Sequence, residues 1–368
     1  MRFDISIYVA IAFVISLVSA AIAIPIIISF CKKYGYFDQP DTRKLHHIAV
    51  PRLGGLAFLP CMAVAFATSL LVYYSDTSTP LNLHVSSSIM ILGATGIYVM
   101  GLVDDINDLS AFLKFCLMLV ATALMPLCDL LIRDLHGFFG IHELPLWAAY
   151  VFTVLTIMTI VNAANLIDGI DGLASGYAII VLTFLVYRFI DLRAPIFALM
   201  AVSLIGAVLT FFIFNFFGHV GKKKIFMGDA GSLILGYVMA YLAIKCLTLS
   251  ERDIYQQGNP ILLSYSLFIV PVFDLVRVAL TRVVSGQSMF RADKRHIHHV
   301  LMSLGLTMRQ TTAIILMIVV VFVVMNQFLQ TAGLDITAIF LIDVAVFAAL
   351  FAAMHLIRQR QQSTLHRH

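Results

Sequence analysis

Residues 195–217 read PIFALMAVSLIGAVLTFFIFNFF, without one charged side chain. About 20 apolar residues let a helix cross the hydrocarbon of a bilayer, so this stretch predicts a membrane span. Outward from it the pattern repeats: 5–30, 53–74, 85–103, 115–132, 145–164 and 174–190 precede it, and 232–249, 261–284, 311–329 and 337–357 follow. Hydrophobic residues make up 61% of the chain, charged residues 12%, and the mean hydropathy is +0.97. Those values exclude an ordinary soluble globular protein. The expectation is an all-α polytopic integral membrane protein of about eleven transmembrane helices. The loops are too short for a second core, so residues 1–368 are expected to form a single transmembrane domain.

The five cysteines (Cys31, Cys61, Cys116, Cys128, Cys246) form no CxxC pair and lie in or beside apolar runs, which argues against a disulfide framework or a zinc ribbon. The first run mimics a signal peptide, but it is too long and Asp4 sits where a basic segment belongs, so it is expected to persist as the first span. If the segments after odd-numbered spans face the cytoplasm, 18 of the 24 lysines and arginines lie on that side. The positive-inside rule then puts the N-terminus in the periplasm and the C-terminus in the cytoplasm. On this reading the net charge of +4 reflects orientation, with nothing that suggests nucleic acid.

Five polar stretches interrupt the apolar pattern, all at the expected cytoplasmic boundary. The central one, 162–173, reads NAANLIDGIDGL. Asn162, Asn165 and Asp168 stand at i, i+3 and i+6, one face of a helix, while Gly169 and Gly172 let the backbone turn and approach a ligand. An ordinary helix end would use the same residue types. Asp104-Asp105-Ile106-Asn107-Asp108 closes the third span, with Lys114 within two turns. Adjacent carboxylates repel unless a cation sits between them, and Mg²⁺ favours carboxylates combined with substrate phosphates. Between the first two spans lie Lys44 and His46, then Pro51-Arg52-Leu53-Gly54-Gly55, where Arg52 could reach a phosphate at the membrane surface.

Asn215 ends the seventh span, and after the basic run Lys222-Lys223-Lys224 comes Phe226-Met227-Gly228-Asp229, with Asp229 an N-cap or metal ligand and Phe226 a platform for a nucleobase. The last stretch carries Arg295, His296, His298 and His299. Histidines suggest a metal, but the surrounding cations favour an oligophosphate. Asp274 and Arg277 in the ninth span read first as a structural ion pair, and Asp343 in the eleventh has no evident partner. Together the stretches suit a nucleoside diphosphate held against a lipid phosphate. A transporter or a flippase without chemistry is the alternative, but it is expected to place its polar groups near mid-membrane.

The motifs 51–55, 104–108, 162–173, 226–232 and 296–299, in this order, resemble the polyprenyl-phosphate N-acetylhexosamine-1-phosphate transferases over nearly the whole chain. The resemblance implies transfer of a sugar 1-phosphate from a UDP-sugar to undecaprenyl phosphate, with release of UMP, at the cytoplasmic face of the bacterial inner membrane. It implies Asp229 as a principal Mg²⁺ ligand helped by Asn165, with Asp104 and Asp105 contributing at the lipid-phosphate end (Mn²⁺ being an alternative ion). Asp168, Gly169 and Asp171 would line the nucleoside pocket with Phe226 near the uracil, and Arg295, His296, His298 and His299 would face the pyrophosphate and sugar. Asp104, Asp105, Asp168, Asp229, His298 and His299 are thus the expected catalytic groups, and Lys44, His46, Arg52, Lys114, Asn162 and Asn215 are expected to bind substrate.

Ile297 interrupts the histidines, as in the branch that starts O-antigen, common-antigen and teichoic-acid chains, which makes UDP-N-acetylglucosamine the leading donor. The phospho-N-acetylmuramoyl-pentapeptide transferase of peptidoglycan synthesis is the runner-up, and other UDP-N-acetylhexosamines stay open. The family also makes a homodimer an expectation.

Overall fold

Tyr8, Ala12, Ser16, Ala20, Ile24 and Ile28 follow one another at intervals of four along the first helix, and every one is buried. Ile7, Val14, Val18, Ile22 and Ile26 on its other faces are exposed. Small residues, Ala12, Ser16 and Ala20, fill the middle of the buried stripe, while large apolar residues on the other faces point outward, where lipid takes the place of water. The computed structural model describes residues 5–38, 49–77, 85–128, 130–221, 223–251, 258–287 and 295–365. Within them the chain forms two compact units, residues 1–132 with 147–254, and residues 133–146 with 255–368.

The first unit contains α1 (Ile5–Tyr34), a two-residue strand pair β1 (Phe37–Asp38) and β2 (Val50–Pro51), α2 (Phe58–Thr77), α3 (Val85–Asn107), α4 (Ala111–Ala123), α5 (Leu146–Leu166), α6 (Leu173–Asp191), α7 (Pro195–Phe216) and α8 (Asp229–Ser250). The small stripe of α1 packs on α7, where a Cβ on Gly206 would lie 2.7 Å from the Ser16 Cβ. Close approach of backbones replaces the hydrophobic drive that is missing between helices in lipid. Helix α8 is buried on nearly every side. Its Gly236 faces Val161 of α5, and its Tyr237 hydroxyl donates to the Ala121 carbonyl of α4 at 3.3 Å.

The second unit holds the hairpin β3 (Asp134–Phe138) and β4 (Ile141–Glu143), with α9 (Ile261–Val284), α10 (Ile297–Ser303), α11 (Met308–Thr331) and α12 (Ile336–Leu365). Leu262, Ile336 and Ile339 form a core there, joined by Phe138 and Leu329. The Phe139 N–H donates to Thr337 Oγ1 at 2.8 Å, which ties the hairpin to α12.

Ten described helices are long and apolar enough to cross a membrane. The segment expected to be the fourth of eleven spans differs. Its helix α4 runs for 13 residues, about 20 Å at 1.5 Å per residue against a hydrocarbon core of about 30 Å. Pro126 then starts a 3-10 turn over Pro126–Cys128, and the Ile132 N–H donates to Thr153 Oγ1 of α5 at 2.9 Å. Helix and turn together climb beside α3 and α5, so the polar group that a broken helix leaves in lipid is taken up by a neighbour's hydroxyl. Cys31, Cys61, Cys116 and Cys246 are free.

Candidate active site

Where α3 ends and α8 begins, two glycines bring the backbones together. A Cβ on Gly101 would stand 2.5 Å from the Ala230 Cα, and one on Gly228, whose φ is +77°, would stand 2.6 Å from Asp105 Oδ2. Into that gap Asp105 extends a buried carboxylate that accepts from the N–H groups of Asp229 at 2.9 Å and Ala230 at 3.0 Å. The first N–H groups of a helix lack partners within it, and negative charge is favoured there. Gly228, the residue before α8, has no side chain to cap it. Asp105 caps it from another helix. Asp104, also buried, accepts from the Leu109 N–H at 2.8 Å and pairs with Lys114.

Asp229 thereby points toward α4 and α5. Lys114 Nζ lies 3.3 Å from one of its oxygens and Asn165 Nδ2 3.1 Å from the other, while Asn165 also donates to Ser232 Oγ at 2.8 Å. Asp168, half-buried in the turn after α5, completes the group. Burial holds its carboxyl well above the usual carboxylate range, and the charges of Asp229, Asp105 and Asp171 push it further the same way. Among the described residues no three acidic, histidine or cysteine side chains form a ready-made metal cage. The carboxylates of Asp229 and Asp104, both held by Lys114, instead match Mg²⁺, which keeps several waters and takes the rest of its ligands from substrate phosphates. The negative surplus around Asp168 is the feature such a cation relieves.

Alongside runs an irregular two-segment floor. The Phe226 N–H donates to the Pro51 carbonyl, and the Gly54 and Gly55 N–H groups donate to the Phe226 and Met227 carbonyls, all at 2.8 Å. Leu53, buried, takes up a left-handed φ of +82° to turn the chain there, a conformation that costs energy for a residue with a Cβ. Arg52 follows β2, with its Nε buried and without a hydrogen-bond partner. Asn215 Oδ1 accepts from the Gly172 N–H at 2.6 Å and its Nδ2 donates to the Ile225 carbonyl at 2.9 Å, so both ends of the amide join the 167–172 turn to this floor. Lys224 pairs with Asp171 and lies 5.8 Å from the centre of the half-buried Phe226 ring.

Asn162 stands apart from this cluster. Helix α5 ends at Leu166, so the expected face of three residues breaks before Asp168. The Asn162 amide donates to its own helix at the Met158 carbonyl, 2.8 Å away. Gly169 is exposed in the turn. Lys44 and His46 lie outside the described residues.

In the second unit Asp274 of α9 accepts from Arg277 at 2.7 Å, from His296 Nδ1 at 2.9 Å and from the Ile297 N–H at 3.1 Å. It thus caps α10 and makes His296 the Nδ1–H tautomer. Arg277 also donates to the Arg295 carbonyl at 2.5 Å and lies 3.9 Å over the Phe351 ring. The His296 and His298 rings are parallel at 6.0 Å, and His298 and His299 approach to 4.2 Å. Burial, helped by the neighbouring His299 and His296, pushes His298 down to about 3, so it is neutral at physiological pH.

Two partners escaped sequence reasoning. Lys224 was only one of a basic run, and nothing local distinguishes it from Lys223. Asp274 was paired with Arg277 by spacing, but its part in anchoring the histidines depends on residues about twenty positions away.

Residues 87–247 match the family model for glycosyl transferase family 4. The chain is 32% identical over 350 residues to the probable undecaprenyl-phosphate N-acetylglucosaminyl 1-phosphate transferase of Bacillus subtilis (strain 168), covering 94% of this chain and 91% of that protein. It is 32% identical over 287 residues to the undecaprenyl-phosphate alpha-N-acetylglucosaminyl 1-phosphate transferase of Pasteurella multocida (strain Pm70), covering 77% and 76% of the two chains. Its similarity to the enzyme of the same name in Escherichia coli (strain K12) is 27% over 289 residues, covering 77% and 74%. The many apolar helices and the polar site at their ends define a multi-span membrane transferase. The chain belongs to glycosyl transferase family 4, within the polyprenyl-phosphate N-acetylhexosamine-1-phosphate transferases that its motifs resemble.

Proposed function

We propose that this chain transfers N-acetylglucosamine 1-phosphate from UDP-N-acetylglucosamine to undecaprenyl phosphate, giving undecaprenyl-pyrophosphoryl-N-acetylglucosamine and UMP, the first membrane step of cell-surface polysaccharide synthesis. The observation that carries it is the convergence of Asp104, Lys114, Asn165 and Asp229 at the ends of largely apolar helices. The names of the relatives and the Ile297 interruption support this donor.

A phosphate monoester has a second pKa of about 6, so the lipid phosphate is largely dianionic at neutral pH and needs little help to act as nucleophile. Its oxygen attacks the sugar-bearing phosphorus of the donor in line, the bond from that phosphorus to the bridging oxygen breaks, and UMP leaves with the electron pair. The main obstacle is repulsion between anions. Asp229 and Asn165, with Asp104 beside them, would hold Mg²⁺ or Mn²⁺, which when bound supplies positive charge to the pyrophosphate. Lys114 contributes a second cation and holds Asp104 and Asp229 in register. Asp104 positions the acceptor, and Asp105 acts indirectly by fixing Asp229. The turn with Asp168 and Asp171 faces the nucleoside, with Phe226 as its platform and Asn215 bracing the turn. The membrane is the bacterial cytoplasmic membrane, the site faces the cytoplasm and the N-terminus lies outside.

The test is UMP release by the purified protein in detergent with undecaprenyl phosphate, Mg²⁺ and UDP-N-acetylglucosamine, with Asp229→Ala in parallel. Release that requires lipid and ion, and collapses in the variant, supports the reading. Activity only with another UDP-sugar, or only with the muramoyl-pentapeptide donor, replaces the donor. Silence across the panel from folded protein removes the enzyme reading.

A further inference from the structure

Within the second unit, Asp343 of α12 and Asn326 of α11 are completely buried, and neither has a part in the reaction above. Four side chains meet there. The Tyr265 hydroxyl of α9 donates to Asp343 Oδ2 at 2.9 Å. Asn326 Nδ2 donates both to Asp343 Oδ2 and to Ser266 Oγ, each at 3.0 Å, and the Ser266 hydroxyl is itself committed to the Leu262 carbonyl at 2.7 Å. Every hydrogen these groups possess is therefore engaged. Two acceptors remain, Asp343 Oδ1 and Asn326 Oδ1, both buried and both without a partner. The direction of the Asn326 amide is settled by Ser266: having donated to Leu262, its oxygen can only accept, so it must meet the NH₂ end.

Two orphaned acceptors inside a membrane helix bundle are costly, and an ionised carboxylate with no cationic partner is costlier still. No lysine, arginine or histidine pairs with Asp343 among the described residues, and Tyr265 is the one titratable side chain bonded to it there. A single added hydrogen removes every deficit. A carboxyl and a carboxamide joined by one N–H···O bond close a ring of two hydrogen bonds when a proton on the second carboxyl oxygen is donated to the amide oxygen. We propose that Asp343 is a proton-binding site, its carboxyl held in the acid form with Oδ1–H donated to Asn326 Oδ1, and that this acid–amide pair, steadied by Tyr265, joins α12 to α11 and α9. The same oxygens could instead hold a bound monovalent cation with the carboxylate ionised, and the measurements separate the two.

The full-length protein in detergent is compared with Asp343→Asn by infrared difference spectroscopy at neutral pH. The expected result is the carbonyl band of a protonated carboxylic acid in wild type that is missing from the variant; its absence from the difference spectrum overturns the proposal. The carboxamide introduced by Asp343→Asn supplies the same ring through its own NH₂, so this variant is expected to keep its Tm within about 2 °C of wild type. A fall well beyond that, with a carboxylate band in place of the acid band, argues for an ionised group. Asn326→Ala keeps the carboxyl but removes its partner, and is expected to move the acid band to higher frequency; an unmoved band sinks the pairing and does not depend on Asp343→Asn folding. Finally, wild-type Tm is followed in sodium, potassium and N-methylglucamine chloride at equal ionic strength. Equal values fit a proton, and stabilisation by sodium or potassium that Asp343→Asn lacks overturns the proposal in favour of a cation.

Discussion

Asp105 and Asp229 are 124 residues apart, yet an oxygen of the Asp105 carboxylate accepts the backbone N–H of Asp229 at 2.9 Å while its other oxygen takes that of Ala230 at 3.0 Å. This contact sets where α8 starts and hence where the Asp229 side chain lies. It also divides the two adjacent aspartates: Asp104 pairs with Lys114 inside the site, whereas Asp105 is occupied with backbone.

Asp105→Asn is therefore expected to act through stability first. An amide offers one acceptor where two N–H groups need one each, and its NH₂ meets a donor. Leaving such a group unsatisfied costs about 1–3 kcal/mol. Thermal unfolding should drop accordingly, and activity should fall with it, whereas Asp104→Asn should lower UMP release more than it lowers Tm. Equal Tm for Asp105→Asn and wild type would refute the capping role.

Gly228→Ala tests the same junction from the other side. Alanine usually stabilises relative to glycine, but here φ is +77° and the added methyl would meet Asp105 Oδ2 at 2.6 Å. Strain and overpacking together should cost roughly 1–3 kcal/mol or more. The readout is Tm together with UMP release, both falling.

Asp168→Asn should stabilise the metal-free protein and abolish transfer. Its folded pKa is raised, chiefly by burial and then by Asp229, Asp105 and Asp171, so the folded state binds its proton more tightly than the unfolded state. That contribution is present below the unfolded value of about 3.9 and is lost as pH rises through the folded one, which leaves Asp168 destabilising at neutral pH. The Tm advantage of the variant in EDTA should thus be larger at pH 8 than at pH 5, and added Mg²⁺ should narrow it by stabilising wild type.

His298 carries the opposite sign. With its pKa pushed down to about 3, the folded protein keeps it neutral while the unfolded chain takes up a proton below about 6.5. Stability is lost as pH falls through that window, by at most about 1.4 kcal/mol per pH unit for one group. The Tm of His298→Gln should fall less than that of wild type between pH 7 and pH 5, and any acidic limb near pH 6 set by the second ionisation of the lipid phosphate should survive the substitution.

Asp274→Ala should release the histidine segment. It leaves Arg277 without its carboxylate and the start of α10 without its cap, a loss of about 3–5 kcal/mol for a buried pair broken on one side. Tm should fall sharply, with Asp274→Asn intermediate because it retains one acceptor.

The fold class was legible because lipid imposes a one-dimensional rule: enough consecutive apolar residues make a span, and 195–217 needs no partner to be read. The five polar stretches were legible for the same reason, as interruptions of that rule, and their order carried the family. The 13-residue α4 was not, since hydropathy runs on through Pro126 to Ile132 while the backbone does not. The tertiary structure alone decided the division of labour: that Asp105 caps and Asp104 pairs, that Asn162 turns back on its own helix, that Lys224 meets Asp171 and Phe226, and that Asp274 anchors His296. The physical reason is common to the contacts that cross between elements. A side chain's residue type states what it can bond, but which partner arrives depends on helices brought together from distant parts of the chain, where a glycine such as Gly101 or Gly206 lets backbones approach within a few ångströms.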